Sequence, residues 1–154
     1  FSTWRDDRNF VLNDERYVGA SVLVAGPSFG VGSSREHAVW ALQQGGFDAV
    51  IAPSFSDIFR NNCTKNGLLP IVLSEPTVNR IWAVIENDST AEITIDLHRF
   101  TVEIPSAGIT EKFDMDTETQ QRFINGLDDI SITLADADAI SKFEASRPAW
   151  LAAR

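Results

Sequence analysis

A predicted strand, a glycine-rich loop and a predicted helix follow one another between residues 19 and 46, and this succession constrains the fold more than any other feature. The strand is Gly19–Ala25 (GASVLVA), a short apolar run bounded by glycines. The helix is Glu36–Gln44, in which apolar residues recur at helical spacing and after which two glycines supply a left-handed stop. A strand that leads through a loop into an apolar helix is typical of mixed α/β domains.

The rest of the sequence continues this alternation and then becomes helical. Further strands are predicted at Ala49–Ala52 and Leu68–Leu73, and a hairpin at Ala91–Leu97 and Phe100–Ile104, joined by His98-Arg99. Further helices are predicted from Ser56 to about Lys65, at Pro76–Glu86, at Asp116–Asn125 and at about Leu134–Ala145. Because the 154 residues contain no repeat and no linker composition, we expect one α/β domain over residues 1–154 with a helical C-terminal tail.

The composition argues against several classes of function. The net charge is −9, whereas binding to nucleic-acid phosphates requires clustered Lys and Arg. No apolar run approaches the ~20 residues that a membrane-spanning helix needs. Cys63 is the single cysteine, so neither an internal disulfide nor a cysteine metal cage can form, and we expect a reducing, cytoplasmic environment. We therefore expect neither nucleic acid nor a membrane as a partner.

The glycine-rich loop brings polar residues to the start of the first predicted helix. Gly32, Ser33, Ser34 and Arg35 stand where unpaired backbone N–H groups and the positive end of the helix dipole favour an anion. Two hydroxyls and a guanidinium suit a carboxylate, which Arg binds through two parallel hydrogen bonds. Serines before a helix also serve as ordinary N-caps, so capping alone is the alternative explanation.

Better-known motifs do not fit the spacing of this loop. A P-loop requires Lys and then Ser or Thr after its last glycine, but serines follow Gly32. The dinucleotide-binding fingerprint needs a third glycine where Arg35 stands, and a nucleophile elbow needs one where Glu36 stands. His37 has no second His or Cys at metal-ligand spacing, so we expect it to pack or cap rather than bind a metal.

Three separated blocks of the sequence resemble the aconitase superfamily. The first, FGVGSSREHAVWAL, resembles the signature of its swivelling domain, in which Gly-Ser-Ser-Arg-Glu-His opens a helix. The second, VIAPSFSDIFRNNCTKNGLLPIVL, is similar to the next block of that superfamily. The third, FINGLDDISITLADADAISKFEASRPAW, resembles specifically the small subunits of bacterial 3-isopropylmalate dehydratase, as does the opening FSTWRDDRNFVLN. The resemblance covers nearly the whole chain and implies a swivelling domain with β/β/α layers.

The resemblance also implies a reaction shared between two subunits. These enzymes convert 2-isopropylmalate to 3-isopropylmalate by dehydration and rehydration in leucine biosynthesis. By position, Ser33 is implied to be the catalytic base, and Ser34 and Arg35 to bind a carboxylate of the dicarboxylate substrate. The [4Fe–4S] cluster of the family lies on the large subunit. This chain is therefore expected to bind no cofactor, to pair with that large subunit in a heterodimer or larger assembly, and to be inactive alone.

Departures from the family pattern and two alternatives accompany this interpretation. Val31 stands where relatives often carry Cys and Val39 where many carry Pro, and both apolar exchanges are expected to have modest effects. The family's N-terminal segment, with an Asp-Thr-Asp motif and a loop associated with substrate choice, does not precede Phe1, so a shortened form is expected. One alternative is the small subunit of a related hydro-lyase acting on homoaconitate, citraconate or a dimethylmalate. The other is a non-catalytic carboxylate-binding module.

Overall fold

A computed structural model describes residues 1, 3–32, 35–126 and 129–147, which form two three-stranded sheets. The first sheet is parallel and consists of β1 (Val22–Val24), β2 (Ala49–Ala52) and β3 (Leu69–Val72), with β2 in the centre. The helices α1 (His37–Gln44) and α2 (Asp57–Asn66) make the two crossover connections. The glycine-rich loop therefore leaves the carboxyl end of an edge strand and enters a crossover helix.

The second sheet is antiparallel and follows a long connecting helix, α3 (Glu75–Asn87). Its strands are β4 (Thr94–Asp96), β5 (Thr101–Ile104) and β6 (Ile109–Lys112), with β5 in the centre. Three further helices complete the described chain: α4 (Thr117–Asn125), α5 (Asp129–Ala135) and α6 (Ala137–Ser146).

β2 divides the core because successive side chains of a strand point to opposite faces of the sheet. Val50 and Ala52 pack in one cluster with the buried face of α1 and α2, which includes Val39 and Phe59. The other two residues of β2 pack in a second cluster with α3 and the antiparallel sheet. All four residues of β2 are buried, as a parallel strand covered on both faces requires. The parallel sheet thus lies between a layer of helices and a layer that contains the second sheet.

The predicted mixed α/β class is confirmed, and the differences lie mainly at the ends of elements and in the second sheet. β1 spans only Val22–Val24 of the predicted Gly19–Ala25, and Gly19 has a φ of +84° that no regular strand adopts. The predicted hairpin is present as β4 and β5, but its turn is longer than His98-Arg99, since Asp96 pairs with Thr101. β6 is not among the predicted strands.

The C-terminal tail is helical, as predicted, but it is divided differently. The helix predicted at about Leu134–Ala145 corresponds to α6, whereas α5 is not among the predicted helices, and the two are separated at Asp136. The backbone of Asp136 has φ −100° and ψ 18°, outside the α-helical range. Ile132 is half-buried, and the other residues from 130 to 147 are exposed. The tail therefore contributes little to the core.

Candidate functional site

The glycine-rich loop is joined to the loop that follows β2. The backbone N–H of Phe29 donates to the carbonyl of Ser54 (3.0 Å), and the N–H of Ser56 donates to the carbonyl of Phe29 (2.9 Å). The N–H of Ser28 donates to Oγ of Ser54 (2.8 Å). These bonds extend the parallel pairing beyond β1 and β2. They place the loop outside the carboxyl ends of the strands, where α/β proteins commonly bind ligands.

The centre of the loop is occupied by a glycine that no other residue could replace. Gly30 has a φ of +79°, and a Cβ atom built there would lie 2.3 Å from Cγ of Phe59. Phe59 is buried on α2 and stacks edge-to-face on Phe29, with ring centroids 5.4 Å apart. Only a residue without a side chain fits between this ring and the left-handed backbone. The inner half of the loop is therefore fixed by packing.

The outer half of the loop is open to solvent. Val31 and Gly32 are exposed, and a Cβ built on Gly32 would meet no atom within 4 Å. Ser33 and Ser34, the predicted base and one of the predicted carboxylate ligands, lie outside the described residues. Arg35, the other predicted ligand, is described and exposed, two residues before the first residue of α1.

The start of α1 differs from the prediction by one residue. The helix begins at His37, and Glu36 occupies the N-cap without a side-chain bond to the first turn. Its carboxylate instead accepts a hydrogen bond from the side-chain amide of Asn66 at the end of α2, with Oε1 and Nδ2 2.8 Å apart. The carboxylate of Glu36, the residue after Arg35, is therefore held by a hydrogen bond from α2.

Sequence reasoning missed this role of Asn66. The pair Asn66-Gly67 predicts a helix stop, and Gly67 does end α2 in the left-handed conformation. The side-chain amide oxygen of Asn66 also accepts from Nε1 of Trp40 on α1 (2.9 Å). No pattern within one segment could reveal these contacts, because they join residues 26 and 30 positions apart.

His37 packs beside an aromatic ring, as predicted. Its imidazole lies 4.7 Å from the ring of Trp40, centroid to centroid, and its side chain is exposed. Among the described residues, no group of three or more His, Cys, Asp or Glu side chains is arranged to hold a metal ion. Nor does any helix in the described ranges combine the length and apolar character needed to cross a membrane.

Cys63 lies beneath the site, within the cluster that α1 and α2 share. It is fully buried on α2, and burial raises the pKa of its thiol to about 12. Cysteine binds metals and attacks electrophiles as the thiolate, so this residue is suited to packing rather than chemistry.

An apolar cavity of about 540 Å³ lies on the inner side of the loop. Phe29 and Gly30 form part of its wall, together with Ala38 of α1 and the aromatic residues Trp4 and Phe10 of the N-terminal segment. None of the described residues that line it has a charged side chain. The cavity cannot pair with a carboxylate, so the exposed side of the loop is the better candidate for an anion site.

Family models match two parts of the chain. A model of the aconitase C-terminal domain matches residues 3–76, which include the loop, α1 and α2. A model of the C-terminal domain of the 3-isopropylmalate dehydratase small subunit matches residues 129–151, which include α5 and α6.

Similar proteins cover nearly the whole chain. The 3-isopropylmalate dehydratase small subunit of Acidothermus cellulolyticus is 55% identical over 150 residues, which are 97% of this chain and 75% of the relative. The protein of the same name from Streptomyces griseus is 54% identical, with the same coverage of both chains. A crystal structure of 3-isopropylmalate dehydratase (leuD) from Methanocaldococcus jannaschii matches with a TM-score of 0.59 and 30% identity, over 79% of this chain and 67% of that one.

Proposed function

The chain belongs to the family of 3-isopropylmalate dehydratase small subunits, and we propose that, with a large subunit, it interconverts 2-isopropylmalate and 3-isopropylmalate by removing and returning water. The observation that carries this proposal is the 55% identity to a small subunit of that name over 97% of the chain. The exposure of Gly32 and Arg35 also supports a lyase that binds an acidic dicarboxylate together with a second subunit.

The exposure of the loop supports the proposal that a partner subunit completes the site. Val31 is 64% exposed, and Gly32 and Arg35 are exposed as well. Dehydration chemistry is favoured in a site from which bulk water is excluded, and the described part of this chain leaves the loop uncovered. The large subunit is the proposed cover, and the single buried thiol is compatible with the cytoplasm as their compartment.

The proposed roles follow the order of residues along the loop. Arg35 binds a substrate carboxylate through its planar guanidinium, and Ser34 donates a hydrogen bond to the same carboxylate. Ser33 removes the proton from the carbon beside that carboxylate. A serine hydroxyl is far too weak an acid to act unaided, so its alkoxide needs stabilisation from the helix dipole and the nearby cation. Holding the carboxylate fixes the distance between the substrate C–H and Ser33.

An iron–sulfur cluster does not fit the residues of this chain. Such clusters are held by several cysteine thiolates, and Cys63 is the single cysteine of the sequence. Its burial and its raised pKa disfavour the thiolate form. We therefore assign the cluster implied by the family to the large subunit, and the contribution of this chain is to bind the substrate and move a proton.

The proposal is tested by assembling the chain with the large subunit of the same organism and measuring isomerisation of 2-isopropylmalate. Ser33→Ala is expected to lower kcat by roughly 10²–10⁴-fold with little change in KM, because the lost group acts on the proton. Ser34→Ala is expected to show more of its loss in KM. Thermal unfolding is measured beside activity, so that a loss of folded protein is not read as a loss of turnover.

Arg35→Lys tests the carboxylate ligand. Lysine keeps the charge but loses the planar fork, so carboxylate binding is expected to weaken by about 1–3 kcal/mol, seen as a higher KM. Unchanged kinetic constants for Arg35→Lys would remove Arg35 from the site. A wild-type assembly that acts on homoaconitate or citraconate but not on 2-isopropylmalate would replace the proposed substrate.

A further inference from the structure

We propose that Asn66 is a positioning residue, which sets the place of the amino end of α1 and thereby of the substrate-binding loop. The inference rests on the proposed function, because the effect on substrate is read through Arg35. Nothing in the family comparison assigns this role.

Asn66 joins the end of α2 to both ends of α1. Its Nδ2 donates to Oε1 of Glu36 (2.8 Å), and its Oδ1 accepts from Nε1 of Trp40 (2.9 Å). Its backbone carbonyl accepts from Nε2 of Gln43 (2.6 Å). The same Nδ2 also donates to the carbonyl of Asn62 within α2 (2.9 Å), which fixes the amide against its own helix. The side chain and backbone of one half-buried residue therefore connect two residues of α1 and its N-cap to a second helix.

α1 depends on such contacts for its position. It contains eight residues, and an isolated helix of that length is marginal in water. Val39 and Leu42 bury one face of it. Apolar contacts hold a helix against the core but are non-directional, whereas hydrogen bonds at defined atoms fix rotation and translation. The bond to Glu36 acts at the residue that directly follows Arg35.

Two other asparagines provide a comparison within the same molecule. Asn87 ends α3 and Asn125 ends α4, and each donates its amide to the carbonyl four residues earlier, at 2.7 Å and 3.0 Å. Asn125, like Asn66, is followed by a left-handed glycine. The hydrogen bonds recorded for these two amides stay within their own helices. The bonds to another helix are what distinguish Asn66, and Asn125→Ala is therefore a matched control.

The sharpest test reverses the hydrogen bond between Asn66 and Glu36, so that the side chain at position 36 becomes the donor and the one at position 66 the acceptor. Asn66→Asp keeps an oxygen for Trp40 but places a carboxylate against that of Glu36, which is expected to raise the KM for 2-isopropylmalate in the assembled enzyme roughly tenfold. Adding Glu36→Gln supplies an amide donor and is expected to return KM to within about threefold of wild type. Asn125→Ala is expected to leave KM unchanged.

The readouts separate positioning from a general loss of folded protein. A lower folded fraction reduces apparent kcat and leaves KM unchanged, whereas a displaced Arg35 raises KM. Hydrogen exchange of the α1 amides in the full chain is expected to quicken in Asn66→Asp, to recover in the double variant, and to match wild type in Asn125→Ala. Additive effects of Asn66→Asp and Glu36→Gln, or a KM for Asn66→Asp equal to that of Asn125→Ala, would overturn the positioning role. A wild-type assembly without isomerase activity would instead remove the proposed function, and this role with it.

Discussion

Two glycines of the loop have opposite roles although they are separated by one residue. At Gly30 an added Cβ would strike the ring of Phe59 and the backbone is left-handed, whereas the space around Gly32 is open. Gly30→Ala is therefore expected to lower the free energy of unfolding by about 2–4 kcal/mol, from the left-handed backbone and overpacking together. Gly32→Ala is expected to change it by less than about 0.5 kcal/mol. Urea unfolding of both variants checks the difference.

The activity of the Gly32→Ala variant provides a second test of the open outer loop. Gly32→Ala is expected to lower kcat/KM in the assembled enzyme, because its methyl group would occupy the open space at Gly32 that we propose the substrate enters. Equal stability losses for the two variants would show that Gly32 is also packed and would contradict the open outer loop.

Cys63 offers a chemical measure of how tightly α1 and α2 pack. Burial raises the pKa of its thiol to about 12, so the reactive thiolate is scarce at neutral pH and the sulfur is inaccessible. We expect iodoacetamide to leave the folded chain unmodified and to alkylate Cys63 once urea unfolds it. Mass spectrometry after timed exposure follows the reaction. Rapid alkylation under native conditions would mean that this cluster opens locally.

The anion site at the start of the first helix stays a prediction, whereas the packing of the loop could not be predicted from the sequence. The succession of glycines, serines and Arg35 was enough to expect an anion at a helix start, and Gly32 and Arg35 are exposed. The different roles of Gly30 and Gly32 could not be predicted, because they depend on a ring from another helix. The same reason hid Asn66, whose local sequence is that of an ordinary helix stop.

At the scale of elements, the turn between β4 and β5 is held by one carboxylate. Oδ1 of Asp96 accepts from the backbone N–H groups of His98 (2.8 Å) and Arg99 (2.9 Å), and its Oδ2 accepts from Nε of Arg99 (2.7 Å). The hydrogen bond from the Arg99 side chain is the largest cause that lowers the pKa of Asp96 to about 2. The charged form therefore orders this turn.

Because the charged form of Asp96 orders this turn, the stability of the folded chain is expected to depend on pH. Because the pKa of Asp96 is lower in the folded than in the unfolded chain, its contribution to stability is complete above about pH 4 and is lost as pH falls towards 2. Asp96→Asn keeps an oxygen for the backbone but loses the charge, so its Tm is expected to lie below wild type at neutral pH and to approach it as pH falls through this window. Asp96→Ala is expected to have the lowest Tm. A gap between wild type and Asp96→Asn that stays constant from pH 7 to pH 3 would contradict this account.

The elements that the sequence predicted well are those with a complete buried face. Ala49–Ala52 is found at the predicted residues, because all four side chains are apolar and buried. β6 was missed because only Ile109 of its four residues is buried, so its alternation is weak and pairing with β5 defines it. The last predicted helix was begun at about Leu134, before the break at Asp136, because the alanine-rich stretch favours helix on both sides of that residue.

At the scale of the whole molecule, the proposed site is shared between this chain and a large subunit. Gly32 and Arg35 are exposed and the adjoining cavity is apolar, so binding of an acidic substrate and exclusion of water are not achieved together within the described residues. We therefore expect the purified chain alone to show no isomerisation of 2-isopropylmalate, and activity to emerge on addition of the large subunit. Turnover by the isolated chain would contradict the shared site.

A site shared between two subunits also predicts which of them contains iron. We expect the isolated chain to contain no iron and no visible iron–sulfur absorption, and the assembled enzyme to contain both. Cys63→Ala is the decisive variant, since Cys63 is the single residue of this chain able to offer a thiolate. Removing its buried sulfur leaves a small cavity that is expected to cost about 1 kcal/mol, with iron content and kcat of the assembly unchanged. Loss of iron from a folded Cys63→Ala assembly would place a cluster ligand on this chain and overturn the assignment of the cluster to the partner.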